Sequence, residues 1–140
     1  MSVGEDVLAI DPREAHARVA AGAAGDASAG NAGGAVVLLD VRAAEEFEDG
    51  HPEGAVNVPL ARFVEGRLVD DGAFAERVRA RFPRETTILV LCRSGVRARR
   101  AAKLLSADYT EVAVVTGGYD GTRGPFGEVV EPGWLRLGLP

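Results

Sequence analysis

Cysteine is almost missing from this chain: Cys92 stands alone among 140 residues. One thiol cannot form an internal disulfide, and the two histidines, His16 and His51, lie too far apart in sequence for metal-ligand spacing, so no structural zinc site is expected. Long apolar runs are missing too. No stretch approaches the ~20 residues that span a bilayer. Met1 to Asp6 has no basic start of a secretory signal, so both termini read as tails and the expected location is cytoplasmic, away from membranes. Net positive charge is also lacking: the formal charge is −5, which argues against non-specific nucleic-acid binding, since that mode needs basic surface to displace phosphate counterions. What remains, 46% hydrophobic residues in 140, suits one buried core and a single domain over 1–140.

Along the chain, apolar runs alternate with helical patterns. Val7 to Ile10 reads as a short strand, followed by Asp11 at an N-cap and Pro12 at the first position of a helix running through Arg13 to about Ala21. Gly22 to Gly34, built of Gly, Ala, Ser, Asn and Asp, has little side chain to bury and reads as a mobile loop inside the domain. Ala35 to Leu39, ending at Asp40, has the unbroken apolar character of a strand covered on both faces. Ala43 to Asp49 is helical in composition and stops at Gly50; a short apolar patch follows at Ala55 to Val58, and Pro59 opens a turn or short helix. Phe74, Val78 and Phe82 fall at four-residue intervals, one stripe of a helix that Pro83 ends. Thr87 to Leu91 is the clearest strand, Val96 to Ser106 a helix whose apolar residues are Ala98, Ala101, Ala102, Leu104 and Leu105, and Glu111 to Thr116 a further strand broken by Gly117 and Gly118. The Gly- and Pro-rich tail from Thr122 to Gly133 leads to Trp134 and Leu135 as apolar anchors. Strand and helix alternate throughout, which predicts an α/β fold with a mainly parallel central sheet flanked by helices and ligands beyond the carboxyl ends of the strands.

Cys92 lies at such an end. The loop Cys92-Arg93-Ser94-Gly95-Val96-Arg97 joins a buried strand to a helix, and amides wrapping into a helix N-terminus point at one centre with the helix dipole behind them. A free cysteine is most often a small buried apolar residue. Here the flanking arginines and the glycine-bearing turn favour a nucleophile, because free cysteine titrates at about 8.5 and such surroundings lower that value. Arg93 and Arg97 have the paired donors to clamp an anion. From Arg93 to Lys103 there are five cations and no acid, so the segment should attract small anions.

At this point the sequence resembles the rhodanese family, from about Ala35 to Pro140. The matching segments are Leu39-Asp40-Val41-Arg42 with Glu45-Glu46-Phe47, Gly50 to Pro59, the Cys92 to Arg97 loop, Thr116-Gly117-Gly118-Tyr119, and the ending Gly133-Trp134 through Gly138-Leu139-Pro140. Pro52, where the family has a branched apolar residue, and the Gly22 to Gly34 insertion depart from the pattern. The resemblance implies a three-layer rhodanese-like fold and a thiosulfate-type sulfurtransferase without cofactor or metal. It places the catalytic role on Cys92 and substrate binding on Arg93, Ser94, Gly95, Val96 and Arg97. A small anionic sulfur donor would charge Cys92 as a persulfide. With no second cysteine in the chain, the acceptor would be external: cyanide, a small thiol or a protein thiol.

Other polar residues read more plainly. Asp40 is expected to bond nearby backbone or pair with a cation, Arg42 to pair with an acid such as Glu46, and His51 to bond backbone in its turn. Tyr119 and Trp134 are expected to pack, with Tyr119 the better pocket lining; Arg99 and Arg100 form a solvated face or steer anions. Two rival functions stand beside the enzyme reading. One is a non-catalytic binding or sensory module. The other is a cysteine phosphatase or arsenate reductase, disfavoured because the position six after Cys92 is Ala98, with Arg97 one earlier, and the shorter loop suits a single sulfur.

Overall fold

The computed structural model describes residues 7–24 and 35–140. The strand β1 (Leu8–Ile10) leads into the helix α1 (Pro12–Ala24), and Asp11 caps it: its Oδ1 accepts the Arg13 N–H at 2.8 Å. The helix outruns the expected end near Ala21, since Ala23 and Ala24 are good helix formers. The remainder of the loop read at Gly22 to Gly34, residues 25–34, lies outside the described residues.

Next come β2 (Val36–Asp40), α2 (Ala44–Glu48) and β3 (Val56–Asn57), close to the apolar runs in the sequence. The segment after Pro59 is not a turn or short helix. It forms a two-stranded hairpin, β4 (Ala61–Val64) and β5 (Arg67–Asp70), joined by Glu65 and Gly66 with φ of 50° and 81°. Two central residues with positive φ give a turn whose twist matches the strands; Gly66 takes that conformation without cost, while Glu65 is an unusual residue for it. The helix α3 (Phe74–Arg81) buries Phe74 and Val78, while Phe82, already extended, closes its C-terminal end. The Tyr109 hydroxyl lies 3.1 and 2.9 Å from the Val78 and Phe82 carbonyls and donates its proton at the end of α3, where the Val78 carbonyl also accepts the Phe82 N–H.

The strand β6 (Thr87–Leu91), the helix α4 (Val96–Leu105) and the strand β7 (Glu111–Val115) complete the main layer, followed by a small irregular hairpin, β8 (Thr122–Arg123) with β9 (Val129–Glu131), inside the tail. Five strands pair in the order β1-β7-β6-β2-β3, all parallel. The central β6 is buried along its whole length, as a parallel strand covered on both faces must be. Its alternation divides the core: Ile88, Val90 and Cys92 face α3 and α4, whereas Leu89 and Leu91 face α1 and Trp134. On α4, Ala98, Ala101, Ala102 and Leu105 are buried, whereas Leu104, one position off that stripe, is exposed; the three alanines let the helix lie close on the sheet. Trp134 anchors the tail at 1% exposure, but Leu135, expected to do the same, is 55% exposed.

The register of the sheet places the site. Asp40 at the end of β2 stands beside Leu91 at the end of β6, and Val41 N–H donates to the Leu91 carbonyl at 2.9 Å. Residues 40–42, 92–97 and 117–122 thus converge at the carboxyl edge of three adjacent strands.

Candidate active site

Cys92 leaves β6 on the side of α4 and is 1% exposed. Its Sγ is not simply enclosed by hydrocarbon, because the Gly95 N–H points at it with nitrogen and sulfur 2.9 Å apart. Gly95 has φ of 118° and sits at the N-cap of α4, a conformation that glycine adopts without steric cost. Among the described residues this is the one amide hydrogen bond to the sulfur.

The back of the loop is held by the turn that follows β7. Tyr119 N–H donates to the Cys92 carbonyl at 2.8 Å, Asp120 N–H to the Arg93 carbonyl at 2.9 Å, and the Thr122 hydroxyl to the Ser94 carbonyl at 3.0 Å. A trans peptide sets each N–H opposite the carbonyl that precedes it. With three successive carbonyls turned toward 119–122, the N–H groups of Arg93, Ser94 and Gly95 are directed away from that segment, and of the three the Gly95 N–H reaches the sulfur. The approach needs a glycine: a Cβ on Gly118 (φ 59°) would stand 2.5 Å from the Cys92 oxygen.

The charged residues around the loop are paired in ways that sequence spacing did not give. Arg42 pairs with Asp40, not Glu46: Nη2 donates to Oδ2 at 2.7 Å and Nε to Oδ1 at 3.0 Å, with both side chains buried. Arg42 N–H also donates to Asp40 Oδ1, and Nη2 to the Gly50 carbonyl. The same guanidinium stacks over the Tyr119 ring, 4.4 Å from its centre. Asp40 therefore has the structural role expected of it, and so does His51, whose Nδ1 lies 2.7 Å from the Phe47 carbonyl while its ring stacks on Phe47.

Arg97 belongs to Glu46. Its Nη1 and Nη2 donate to the two carboxylate oxygens at 2.7 and 3.1 Å, and the pair is largely buried. Arg97, read from the sequence as a clamp for an anion, thus has its planar fork matched to the Glu46 carboxylate. Glu46 Oε1 also accepts the Ala43 N–H at 2.9 Å, tying the start of α2 to the start of α4. Burial by itself would raise the Glu46 pKa; the Arg97 and Ala43 hydrogen bonds and the charges of Arg97 and Arg42 outweigh it and hold the carboxyl below its ordinary value of 4.5. On Arg97 the Glu46 hydrogen bonds outweigh burial and push the guanidinium pKa up, with the charges of Glu46 and Cys92 acting in the same direction.

A carboxyl with a depressed folded-state pKa contributes stability above its unfolded pKa and loses it as pH falls through the folded value. Thermal stability should therefore drop between about pH 5 and pH 3 more steeply in the parent than in Glu46→Gln, which has no charge to lose. Parallel melting curves across that range test this; equal slopes would mean that the pair contributes nothing.

A cavity of about 290 Å³ opens beside the loop, lined by Arg42, Glu46, Arg93, Tyr119 and Asp120 among others. Arg93 is the exposed cation there, its side chain 66% exposed and its contact with Asp120 long, at 3.4 Å; an exposed pair of this kind is worth about 0–1 kcal/mol. Ser94, Gly95 and Val96 line instead a second cavity of about 370 Å³ toward β1, with Arg99 and Lys103. The five loop residues read from the sequence as substrate-binding are thus divided among two cavities and an ion pair. Glu46 is expected from the sequence as a partner of Arg42 and pairs with Arg97 instead, while the sequence gives no role to Asp120 or Thr122. Asp120 and Thr122 reach the loop across 27 and 28 positions, and nothing local in the sequence marks them.

A family model described as a rhodanese-like domain matches residues 23–124. Among curated proteins, the chain is 36% identical over 103 residues to thiosulfate sulfurtransferase 16, chloroplastic, of Arabidopsis thaliana, covering 73% of this chain and 76% of that one. It is 39% identical over 82 residues to the senescence-associated protein DIN1 of Raphanus sativus, covering 58% of this chain but only 45% of that one, so it spans under half the length of that relative. Among solved structures, Rv0390 from M. tuberculosis superposes with a TM-score of 0.59 at 30% identity, covering 75% of this chain and 82% of that one.

Proposed function

Because the chain belongs to the rhodanese-like domain family, we propose that it is a sulfurtransferase that carries a sulfane sulfur on Cys92. The observation that carries this reading is the Gly95 N–H aimed at Sγ from the N-cap of α4. A donor hydrogen bond and the positive end of a helix both stabilise negative charge on sulfur, and the reaction needs that charge at each step.

With thiosulfate as donor, the Cys92 thiolate attacks the outer sulfur. A new S–S bond forms to Cys92, the bond between the two donor sulfurs breaks, and its electron pair leaves on sulfite. The terminal sulfur of the persulfide is then attacked by an external nucleophile, such as cyanide, a small thiol or a protein thiol. The Cys92 S–S bond breaks and its pair returns to Cys92. No net redox equivalent is consumed. Arg93, exposed and loosely held by Asp120, meets the anionic end of the donor by exchanging one carboxylate for another oxyanion. Arg97, fixed to Glu46, braces the loop from α2.

Intact-mass measurement after incubation with thiosulfate is the direct test. The expected result is one added sulfur per chain, removed by cyanide with formation of thiocyanate. An unchanged mass together with phosphate release from an aryl phosphate would replace this reading with the phosphatase one.

A further inference from the structure

We infer that Thr122 is a positioning residue for Cys92, setting through its hydroxyl the direction of the one amide that reaches the sulfur. This rests on the sulfurtransferase reading and extends it to a residue outside the active-site loop. The Ser94–Gly95 peptide is held at both ends: its carbonyl accepts from Thr122 Oγ1 at 3.0 Å, and its N–H donates to Cys92 Sγ at 2.9 Å. Glycine follows this peptide, with φ of 118°, and glycine gives the backbone freedom to rotate the peptide plane. Without a fixed carbonyl, the plane can turn and take the N–H off the sulfur.

Of the three donors behind the loop, Tyr119 and Asp120 use main-chain N–H groups, which no side-chain change removes; Thr122 uses a side chain. Its own position is built in. Thr122 begins β8 and pairs with Glu131 of β9, and Gly121 (φ 111°) brings the chain close to the Glu131 carbonyl. Gly133 packs against this turn so tightly that a Cβ there would stand 2.5 Å from Gly121 N and 2.7 Å from the Gly118 oxygen. The hairpin at 122–131 is therefore tied to the sulfur through one hydroxyl.

Thr122→Val keeps the shape and removes the hydroxyl, Thr122→Ala removes the hydroxyl and the bulk, and Thr122→Ser keeps the hydroxyl. The first readout is the rate constant for alkylation of Cys92 by iodoacetamide near pH 7 and near pH 10. The second is the split between kcat and KM for thiosulfate turnover. Loss of one charge-assisting hydrogen bond predicts that T122V and T122A alkylate about fivefold more slowly near pH 7 and at the parental rate near pH 10. In both, kcat falls by a similar factor with KM within about twofold, and T122S stays within about twofold of the parent. Parental behaviour of T122V and T122A at both pH values overturns the proposal. So does equal slowing at both pH values, or impairment of T122S as severe as that of T122V, since a merely structural role gives either. If T122V does not fold, T122A supplies the same contrast. Should the parent form no persulfide from thiosulfate, the sulfurtransferase reading fails, while the alkylation contrast still decides the role of Thr122.

Discussion

Replacing Cys92 with serine is expected to abolish sulfur transfer and leave the fold intact. An alkoxide is inaccessible at neutral pH, and oxygen cannot hold the transferred sulfur as a persulfide, so the covalent route is closed rather than slowed. Loss of a nucleophile of this kind costs at least about a thousandfold in rate. The fold should tolerate the change, because serine differs from cysteine by one atom and its Oγ can accept the Gly95 N–H that now meets Sγ. A cost below about 2 kcal/mol is expected, in line with ordinary single substitutions. Turnover of thiosulfate and cyanide, measured beside a thermal melt, separates the two effects. Turnover of C92S above one-tenth of the parental rate would remove Cys92 from the mechanism.

Replacing Arg42 with methionine should have the largest effect on stability. Asp40 is 0% exposed and its carboxylate is met by Arg42 Nε and Nη2 as well as by the Arg42 main-chain N–H. Methionine fills much of the space but leaves the carboxylate buried without its cation, a change worth about 3–5 kcal/mol. For a chain of this size that lowers the melting temperature by about 10 °C or more. Asp40→Leu combined with Arg42→Met removes both charges together and should recover much of the loss, since a buried pair often does no better than apolar residues of similar volume. If R42M melts within about 2 °C of the parent, the pair is not a structural element of the strand end. The same variant takes the guanidinium from the face of Tyr119, so the wall of the 290 Å³ cavity changes along with stability.

The regular elements nearest the site were legible because each is written in a local pattern. Thr87 to Leu91 carries no charge, and a strand covered on both faces needs none. Ala98, Ala101, Ala102 and Leu105 recur at helical spacing, and all four are buried on α4. Asp11 before Pro12 announced a cap, and its carboxylate accepts the expected N–H. The two hairpins escaped notice for different reasons. In β4 and β5 the turn is made by Glu65 and Gly66, where Glu is an unusual residue for positive φ. In β8 and β9 the strands are two and three residues long, too short for any periodicity to show. The place of Cys92 was equally plain, as the sole cysteine, set between a strand and a helix. Its neighbours were not, because Glu46 meets Arg97 across 51 positions and Thr122 meets Ser94 across 28.

The sequence by itself determined the alternation of strands and helices, the position of Cys92 at a strand end and the glycine that lets the following turn form, since each depends on residues within one turn or one strand of each other. Only the tertiary structure decided which charge belongs to which. The order β1-β7-β6-β2-β3 brings three strand ends together, and that convergence gives Arg97 to Glu46 and the Ser94 carbonyl to Thr122. Ion pairs and peptide orientations are settled by distance in space, and a chain acquires those distances only when its strands have taken their places side by side.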